Sequence, residues 1–301
     1  MKVTRLDLDG AGSPMALVTK ILKVETELRA PIPIEDLARQ LDIEKIRALE
    51  TEGFEGGLLT DENRQFGIIL VNEGVTEGRR RFTIGHELAH FLIISHVPVT
   101  PGKFLCSRRD MLQWSEKETT RYARMEFEAN EFAALILMPP PLLRKHIGGR
   151  APNLADVEKI SKDFIVSKDA AARAYSRCHH ENIALAVAKD GKILRYYPGV
   201  NFPFITAPIG KPVPRGSVFH RSSLKQRVSS DIVQTTADNW IDVEYGQRAP
   251  DLYEQVYLQK NGFALILLWL ERTEGEDEDF DPDENRTSKQ RLQDRQARWS
   301  R

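Results

Sequence analysis

Two histidines four residues apart stand inside an apolar stretch, in the segment His86-Glu87-Leu88-Ala89-His90. On a helix, side chains four positions apart lie on one face, so both imidazoles can reach one Zn²⁺ at about 2.0 to 2.1 Å. The flanking segments Phe82-Thr83-Ile84-Gly85 and Phe91-Leu92-Ile93 are mostly apolar, which predicts a helix packed into the core. Since buried imidazoles need partners, the rest of the chain must fold around this helix and supply them.

Glu87 lies between the two histidines and is rotated about a quarter turn from them on a helix. Its carboxylate can therefore stand beside the metal and take a proton from the attacking water without becoming a ligand. With 7 histidines and 44 acidic residues in 301, a shuffled chain would contain this pattern with a probability of roughly 2%. The alternative is an exposed helix with two incidental histidines, which the apolar surroundings argue against.

A catalytic zinc site needs a third protein ligand and an open fourth position for water. Acidic candidates lie on a second predicted helix, residues 116–138, which ends at Pro139-Pro140-Pro141. Glu126 and Glu128 both flank the apolar face of this helix, whereas Glu131 points nearly opposite. Helical phase therefore leaves two candidates for the third ligand and does not choose between them.

The motif helix and the second helix together resemble the ImmA/IrrE family of metallo-endopeptidases. The resemblance rests on the run Arg79 to Leu92, on Glu128-Ala129-Asn130-Glu131-Phe132-Ala133-Ala134, and on the closing Leu137-Met138-Pro139. It extends over about residues 16–138. Two positions depart from the common family pattern, Gly85 for alanine and Ala89 for glycine, and both keep small side chains.

The resemblance implies a set of functional residues. In the family, the glutamate directly before Ala-Asn or Ala-Asp is the third zinc ligand, which corresponds to Glu128. One zinc ion would then be held by His86, His90 and Glu128, with Glu87 as the catalytic proton shuttle. A donor for the transition-state oxyanion is also expected, and either Tyr122 or His96 could supply it, although we expect each to be structural.

The resemblance also implies a function, a zinc-dependent endopeptidase that cleaves a helix-turn-helix transcriptional repressor encoded nearby. Cleavage would relieve repression of stress-response or mobile-element genes. Two alternatives stay open: a non-cleaving, zinc-stabilised regulator that binds DNA or a partner protein, and a peptidase-fold member of a toxin-antitoxin pair. DNA binding has weak support from basic residues in the middle of the chain, namely Arg144, Lys145, Arg150, Lys159, Lys162, Lys168, Arg173 and Arg177.

Periodicity and composition predict an α+β fold in four segments. Residues 1–140 are expected to form a mainly helical, zincin-like metallopeptidase domain with a small sheet. Residues 141–180 would form a helical, helix-turn-helix-like connector, and residues 181–272 a β-rich C-terminal module. Residues 273–301 are dominated by charged and polar side chains, which predicts a disordered tail.

Local patterns place turns and loops within these segments. The dipeptides Asp190-Gly191 and Asn261-Gly262 each separate two apolar runs and favour tight hairpin turns. Residues 98–115 carry proline, glycine and charge without a clear period, which predicts a loop. Ser167 precedes a short helical pattern and is expected to cap it.

Composition limits the class of protein. Hydrophobic residues make up 41% and charged residues 29%, which is typical of a globular protein and not of a disordered or fibrous one. The formal charge of −1 provides no overall field that would attract nucleic acid or anionic lipid.

Two cysteines, Cys106 and Cys178, cannot form a disulfide framework and fit a reducing compartment, and Cys106 is expected to be an ordinary thiol. No apolar run has the length of a signal peptide or a membrane span, so we expect a cytoplasmic protein.

Overall fold

The computed structural model describes residues 1–50, 54–98, 100–107, 120–243 and 249–271. Within these residues it contains seven α-helices and nine β-strands in an α+β fold. The helices are α1 (Pro14–Val24), α2 (Ile34–Gln40), α3 (Glu77–Leu92), α4 (Arg121–Leu137), α5 (Pro140–Ile147), α6 (Leu154–Asp163) and α7 (Lys168–Cys178). The strands are β1 (Ile43–Leu49), β2 (Gly56–Thr60), β3 (Gly67–Asn72), β4 (Lys103–Cys106), β5 (Asn182–Lys189), β6 (Lys192–Pro198), β7 (Val233–Thr235), β8 (Leu252–Leu258) and β9 (Phe263–Leu270). The predicted tail, residues 273–301, lies outside the described residues.

Hydroxyl side chains cap the helices that matter most for the site. The side chain of Thr76 accepts a hydrogen bond from the Arg79 amide at the start of α3, and that of Thr120 accepts one from Ala123 at the start of α4. Each satisfies one of the amides that a helix N-terminus leaves without an intrahelical partner. Ser167 caps α7 in the same way, as predicted.

The first sheet has the strand order β1-β3-β2-β4. Strands β1 and β3 run parallel, whereas β2 pairs antiparallel with both β3 and β4. Helix α3 packs against β2 and β3 and also against α4. The first hydrophobic core lies between these elements and includes Leu58, Ile69, Leu88 and Phe132. The predicted loop at residues 98–115 is wrong at β4, because this short strand completes the sheet beside the motif helix.

The second sheet is antiparallel throughout, with the order β6-β5-β9-β8-β7. Side chains of β5 alternate between two cores: Ile183 and Leu185 face helices α5 to α7, and Ala184 and Ala186 face the opposite side, which includes Trp240. Because side chains alternate along a strand, a strand buried on both faces is apolar at every position. This accounts for the continuous apolar run of the central strand β9.

Both predicted hairpin turns are confirmed. Asp190 and Gly191 join β5 to β6 with φ angles of 50° and 75°, and Asn261 and Gly262 join β8 to β9 with φ angles of 56° and 73°. Two consecutive residues with positive φ match the twist of an antiparallel hairpin, and Asn-Gly and Asp-Gly adopt this conformation at low cost.

The buried residues change from one core to another at the end of α4. Leu137 belongs to the first core and Met138 to the second, and α5 begins at Pro140. Helices α5 to α7 share the second core with the sheet of β5 and β9, so the helical residues 141–180 pack onto the β-rich residues instead of standing apart from them. Among the described residues, no helix is both long and apolar enough to span a lipid bilayer.

Helices α3 and α4 approach closely at Gly85. A Cβ atom at this position would lie 3.2 Å from the Ala133 Cα and 3.3 Å from the Ala133 Cβ. These distances are shorter than ordinary van der Waals contacts, so the absence of a side chain at Gly85 sets the separation of the two helices.

We predict that Gly85→Leu pushes α3 away from α4, because the added carbons overlap Ala133. The free energy of unfolding should fall by about 1 to 3 kcal/mol, the usual cost of overpacking a core. Urea denaturation measures this change. Gly149→Leu is the matched control, since no described atom lies within 4 Å of a Cβ built at Gly149. Equal destabilisation by the two substitutions would contradict the proposed role of Gly85.

Candidate metal centre

Helix α3 places the two motif histidines on its buried face. Both His86 and His90 are 0% exposed, and their Nε2 atoms lie 3.0 Å apart. They are one helical turn apart, and the turn itself brings the rings together, with ring centroids separated by 4.7 Å.

Helix α4 adds a carboxylate to the two imidazoles, that of Glu126. Its Oε2 lies 3.2 Å from His86 Nε2, and its Oε1 lies 3.6 Å from His90 Nε2. Glu126 is 1% exposed. A carboxylate is buried at this depth only where opposite charge or hydrogen bonds offset its desolvation.

The fourth member of the cluster is Cys106, the last residue of β4. Its Sγ lies 3.7 Å from His90 Nε2, and the donor atoms of His86, His90, Cys106 and Glu126 all lie within 4.8 Å of one another. Zinc bonds of 2.0 to 2.3 Å in a tetrahedron place neighbouring donors about 3.3 to 3.8 Å apart. The separations of 3.0 to 3.7 Å between these donors are close to this range, so one ion could be shared among them, and Cys106 is not the isolated thiol expected from its sequence neighbours.

Hydrogen bonds to the outer ring nitrogens leave the lone pairs of both imidazoles directed at the centre of this donor cluster. His86 Nδ1 lies 3.0 Å from Asn130 Oδ1, an acceptor, so the ring proton is on Nδ1 and Nε2 carries a lone pair. Two imidazole lone pairs that face each other 3.0 Å apart repel unless a cation lies between them. The cluster thus has the electrostatics of a metal site as well as its spacing.

A chain of side chains orients His90 in the same sense. His90 Nδ1 lies 3.0 Å from His96 Nδ1, and His96 Nε2 lies 3.0 Å from Glu128 Oε2. Because the carboxylate can only accept, His96 Nε2 donates to Glu128, and His96 Nδ1 accepts from His90. This order leaves the lone pair of His90 Nε2 directed at the cluster, the arrangement that metal-binding histidines usually show.

Burial keeps these groups in the charge state that a metal site needs. Desolvation lowers the pKa of His90 to about 4 and that of His96 to about 2, so both rings are neutral at pH 7. Glu126 faces the same two Nε2 atoms, and a divalent cation held between them would keep its carboxyl group ionised. Neutral imidazoles and an ionised carboxylate are the ligand forms that bind a divalent cation.

Glu87 and Arg64 complete the surroundings. Glu87 is fully buried in the same helical turn as the histidines. The Arg64 guanidinium donates hydrogen bonds to the carbonyls of His90 and Ile93, at 2.9 and 2.8 Å. The bond to His90 satisfies a carbonyl in the last turn of α3, and the two bonds together hold the helix end that carries His90.

A family model described as the IrrE N-terminal-like domain, of metallopeptidase type, matches residues 42–176. Residues 42–176 form an IrrE N-terminal-like domain. The resemblance to the ImmA/IrrE family that the sequence motifs indicate is thereby confirmed. Among solved structures, a Mycobacterium tuberculosis transcriptional regulator matches with a TM-score of 0.46 and 13% identity, over 88% of this chain and 74% of that chain. A comparison with curated proteins finds no match.

The IrrE N-terminal-like domain contains all the predicted site residues but does not bring Glu128 to the histidines. Residues two apart on a helix do not share a face, so Glu126 and Glu128 cannot both reach one ion. Glu126 faces His86 and His90, whereas Glu128 contacts His96. The prediction of Glu128 as third ligand does not fit this geometry, and its carboxylate instead orients His90 through His96.

Sequence reasoning missed two further residues of the domain. Asn130 lies four positions after Glu126, so shared helical phase was a signal that could have identified it. Cys106 reaches the cluster through strand pairing, for which its sequence neighbours carry no signal. Tyr122, a candidate oxyanion donor, is 39% exposed, and His96 is engaged with His90 and Glu128.

We predict that Glu126→Ala abolishes metal binding by the domain, because it removes a donor that touches both imidazoles. Glu128→Ala should weaken metal affinity by about 10- to 100-fold, the usual effect of removing an outer hydrogen-bond partner. Competition with a metal-binding dye measures both affinities. Glu131→Ala, on the same helix and outside the cluster, is the control. Abolished binding in Glu128→Ala together with parental binding in Glu126→Ala would contradict this assignment.

Proposed function

We propose that this protein is a zinc-dependent endopeptidase that cleaves a helix-turn-helix transcriptional repressor and so relieves repression of stress-response or mobile-element genes. The observation that carries the proposal is the buried set of two imidazoles and one carboxylate, with a second carboxylate, Glu87, in the same helical turn. The repressor as substrate rests on the resemblance to the ImmA/IrrE family.

The chemistry of the donors favours zinc over the hard divalent cations. Mg²⁺ and Ca²⁺ prefer sites built from oxygen ligands. Imidazole nitrogen, thiolate sulfur and a single carboxylate suit Zn²⁺, which is commonly held in a tetrahedron at the distances available here. His86, His90 and Glu126 would hold the ion, and we assign the third position to Glu126 in place of Glu128.

When bound, zinc lowers the pKa of a water molecule toward about 7 and polarises the scissile carbonyl. Glu87 would then act as the proton shuttle. Its carboxylate accepts a proton from the attacking water and passes it to the nitrogen of the leaving amine. Glu87 is fully buried, which suits this task because burial keeps bulk water away from the proton being transferred.

Glu128 has a different part in the proposal, that of a positioning residue. It lies 3.0 Å from His96 Nε2, and His96 in turn lies 3.0 Å from His90 Nδ1. Glu128 accepts a hydrogen bond from His96 Nε2, and His96 in turn accepts one from His90 Nδ1. Glu128 thereby fixes the tautomer of His90 without touching the reacting atoms.

A non-cleaving, zinc-stabilised regulator is the second candidate function. The position of Cys106 favours it, because four protein donors without an open position are typical of structural zinc sites. In a purely structural site Glu87 would have no chemical task, and its replacement would leave function unchanged.

We predict that Glu87→Gln retains one zinc ion per chain but loses cleavage of the helix-turn-helix protein encoded beside it. The rate should fall by more than about 100-fold, since glutamine cannot accept the proton. Gel electrophoresis of the mixture measures cleavage, and metal analysis measures zinc content.

Glu77→Gln provides the control, because Glu77 lies on the same helix and is exposed. It should cleave at the parental rate, and a chelator should stop the parental reaction. Cleavage by Glu87→Gln at the parental rate would show that Glu87 is not the proton shuttle.

A further inference from the structure

We propose that Cys106 is a fourth protein ligand that closes the metal site and holds the protein in a latent state. This inference rests on the proposed function, because it assigns a regulatory role to the same site. A peptidase needs one coordination position open to water. In this protein the Cys106 thiol lies beside His90, among the donors that would surround the ion.

The spacing of the sulfur supports a direct bond to the ion. Cys106 Sγ lies 3.7 Å from His90 Nε2, close to the separation of about 3.6 Å between a sulfur and a nitrogen ligand at a tetrahedral zinc. The Sγ and the other three donors lie within 4.8 Å of one another. Cys106 is 2% exposed, so its sulfur faces the cluster and not solvent.

Strand pairing holds the sulfur in this place. The Cys106 carbonyl accepts a hydrogen bond from the Glu55 amide at 3.0 Å, and Cys106 pairs with Gly56 in the register of β2 and β4. A Cβ on Gly57 would lie 2.9 Å from the Phe104 carbonyl oxygen, so only glycine allows β4 to approach β2 this closely. The position of Cys106 is therefore set by the sheet.

A second contact from the same strand face supports the placement. Phe104 and Cys106 are two residues apart, both are buried, and both point to the same face of β4. The Phe104 ring stacks on the His90 ring with a centroid distance of 4.8 Å and an interplanar angle of 24°. Strand β4 thus packs onto the metal-binding imidazole through an aromatic ring and presents the thiol beside it.

The bond has a defined proton balance. When the ion binds, the Cys106 thiol gives its proton to solvent and coordinates as thiolate. With His86, His90 and Glu126 also bound, four protein donors fill the tetrahedron. Opening the site requires that the sulfur-metal bond break, that the thiolate take up a proton, and that water enter the released position. A change that pulls β4 away from His90 would accomplish this.

The test uses the full chain loaded with Co²⁺, which takes zinc sites and shows a thiolate-to-metal charge-transfer band only when sulfur is bound. The chain has two cysteines, Cys106 and Cys178, and Cys178 lies in α7 outside the cluster. In Cys178→Ser the band can come only from Cys106. We expect Cys178→Ser to show the band at one cobalt per chain. Cys106→Ser should lack it and bind cobalt more weakly by more than about 10-fold.

A single bound cobalt without the band in Cys178→Ser would overturn the inference and leave the proposed function standing. Persistence of the band in Cys106→Ser would overturn it as well. By contrast, undiminished cobalt binding in His86→Ala would contradict the metal site on which the proposed function depends, so the two failures are distinguishable.

The rate of substrate cleavage tests whether Cys106 keeps the protein latent. With the neighbouring helix-turn-helix protein as substrate, Cys106→Ser should cleave several-fold faster than Cys178→Ser, because a position is open to water. Equal rates in the two variants would show that Cys106 does not restrain the enzyme.

Discussion

The contact between α3 and α4 determines whether this protein has a metal site at all. The two helices approach closely at Gly85 and Ala133, and the imidazoles of α3 meet the carboxylate of Glu126, which lies about two turns before Ala133 on α4. Neither helix holds enough donors for an ion alone. The site is thus a product of core packing, because the same apolar faces that bury α3 and α4 also set the distance from His86 to Glu126.

Polar groups buried in this core need hydrogen-bond or ionic partners. Asn130 accepts from His86, and Glu128 accepts through His96, so each ring proton is fixed on the side away from the cluster. The lone pairs of His86 Nε2 and His90 Nε2 and the negative charge of the Glu126 carboxylate therefore converge inside the cluster. In a low-dielectric core such an arrangement is stable with a cation at its centre and costly without one. Metal binding and folding of this domain are therefore expected to be coupled.

Much of this could be predicted from the sequence, and the limits have physical causes. The motif helix, the caps and the hairpin turns follow from local patterns, as Ser167 and Asn261-Gly262 show. The choice between Glu126 and Glu128 could not be made from helical phase, because both flank the apolar face, and the orientation of α4 against α3 decides it. Strand β2 has no clear sequence signal, because glycine is unfavourable in most strands, yet Gly57 permits the close pairing of β2 with β4. Cys106 was missed because β4 carries only four residues and little periodicity.

The position of the bound metal decides whether Glu126 or Glu128 is the third ligand, and anomalous diffraction at the zinc absorption edge measures that position directly. We expect one peak within bonding distance of His86 Nε2, His90 Nε2 and a Glu126 carboxylate oxygen, with Cys106 Sγ as the fourth neighbour. A peak coordinated by Glu128, or by neither histidine, would contradict it.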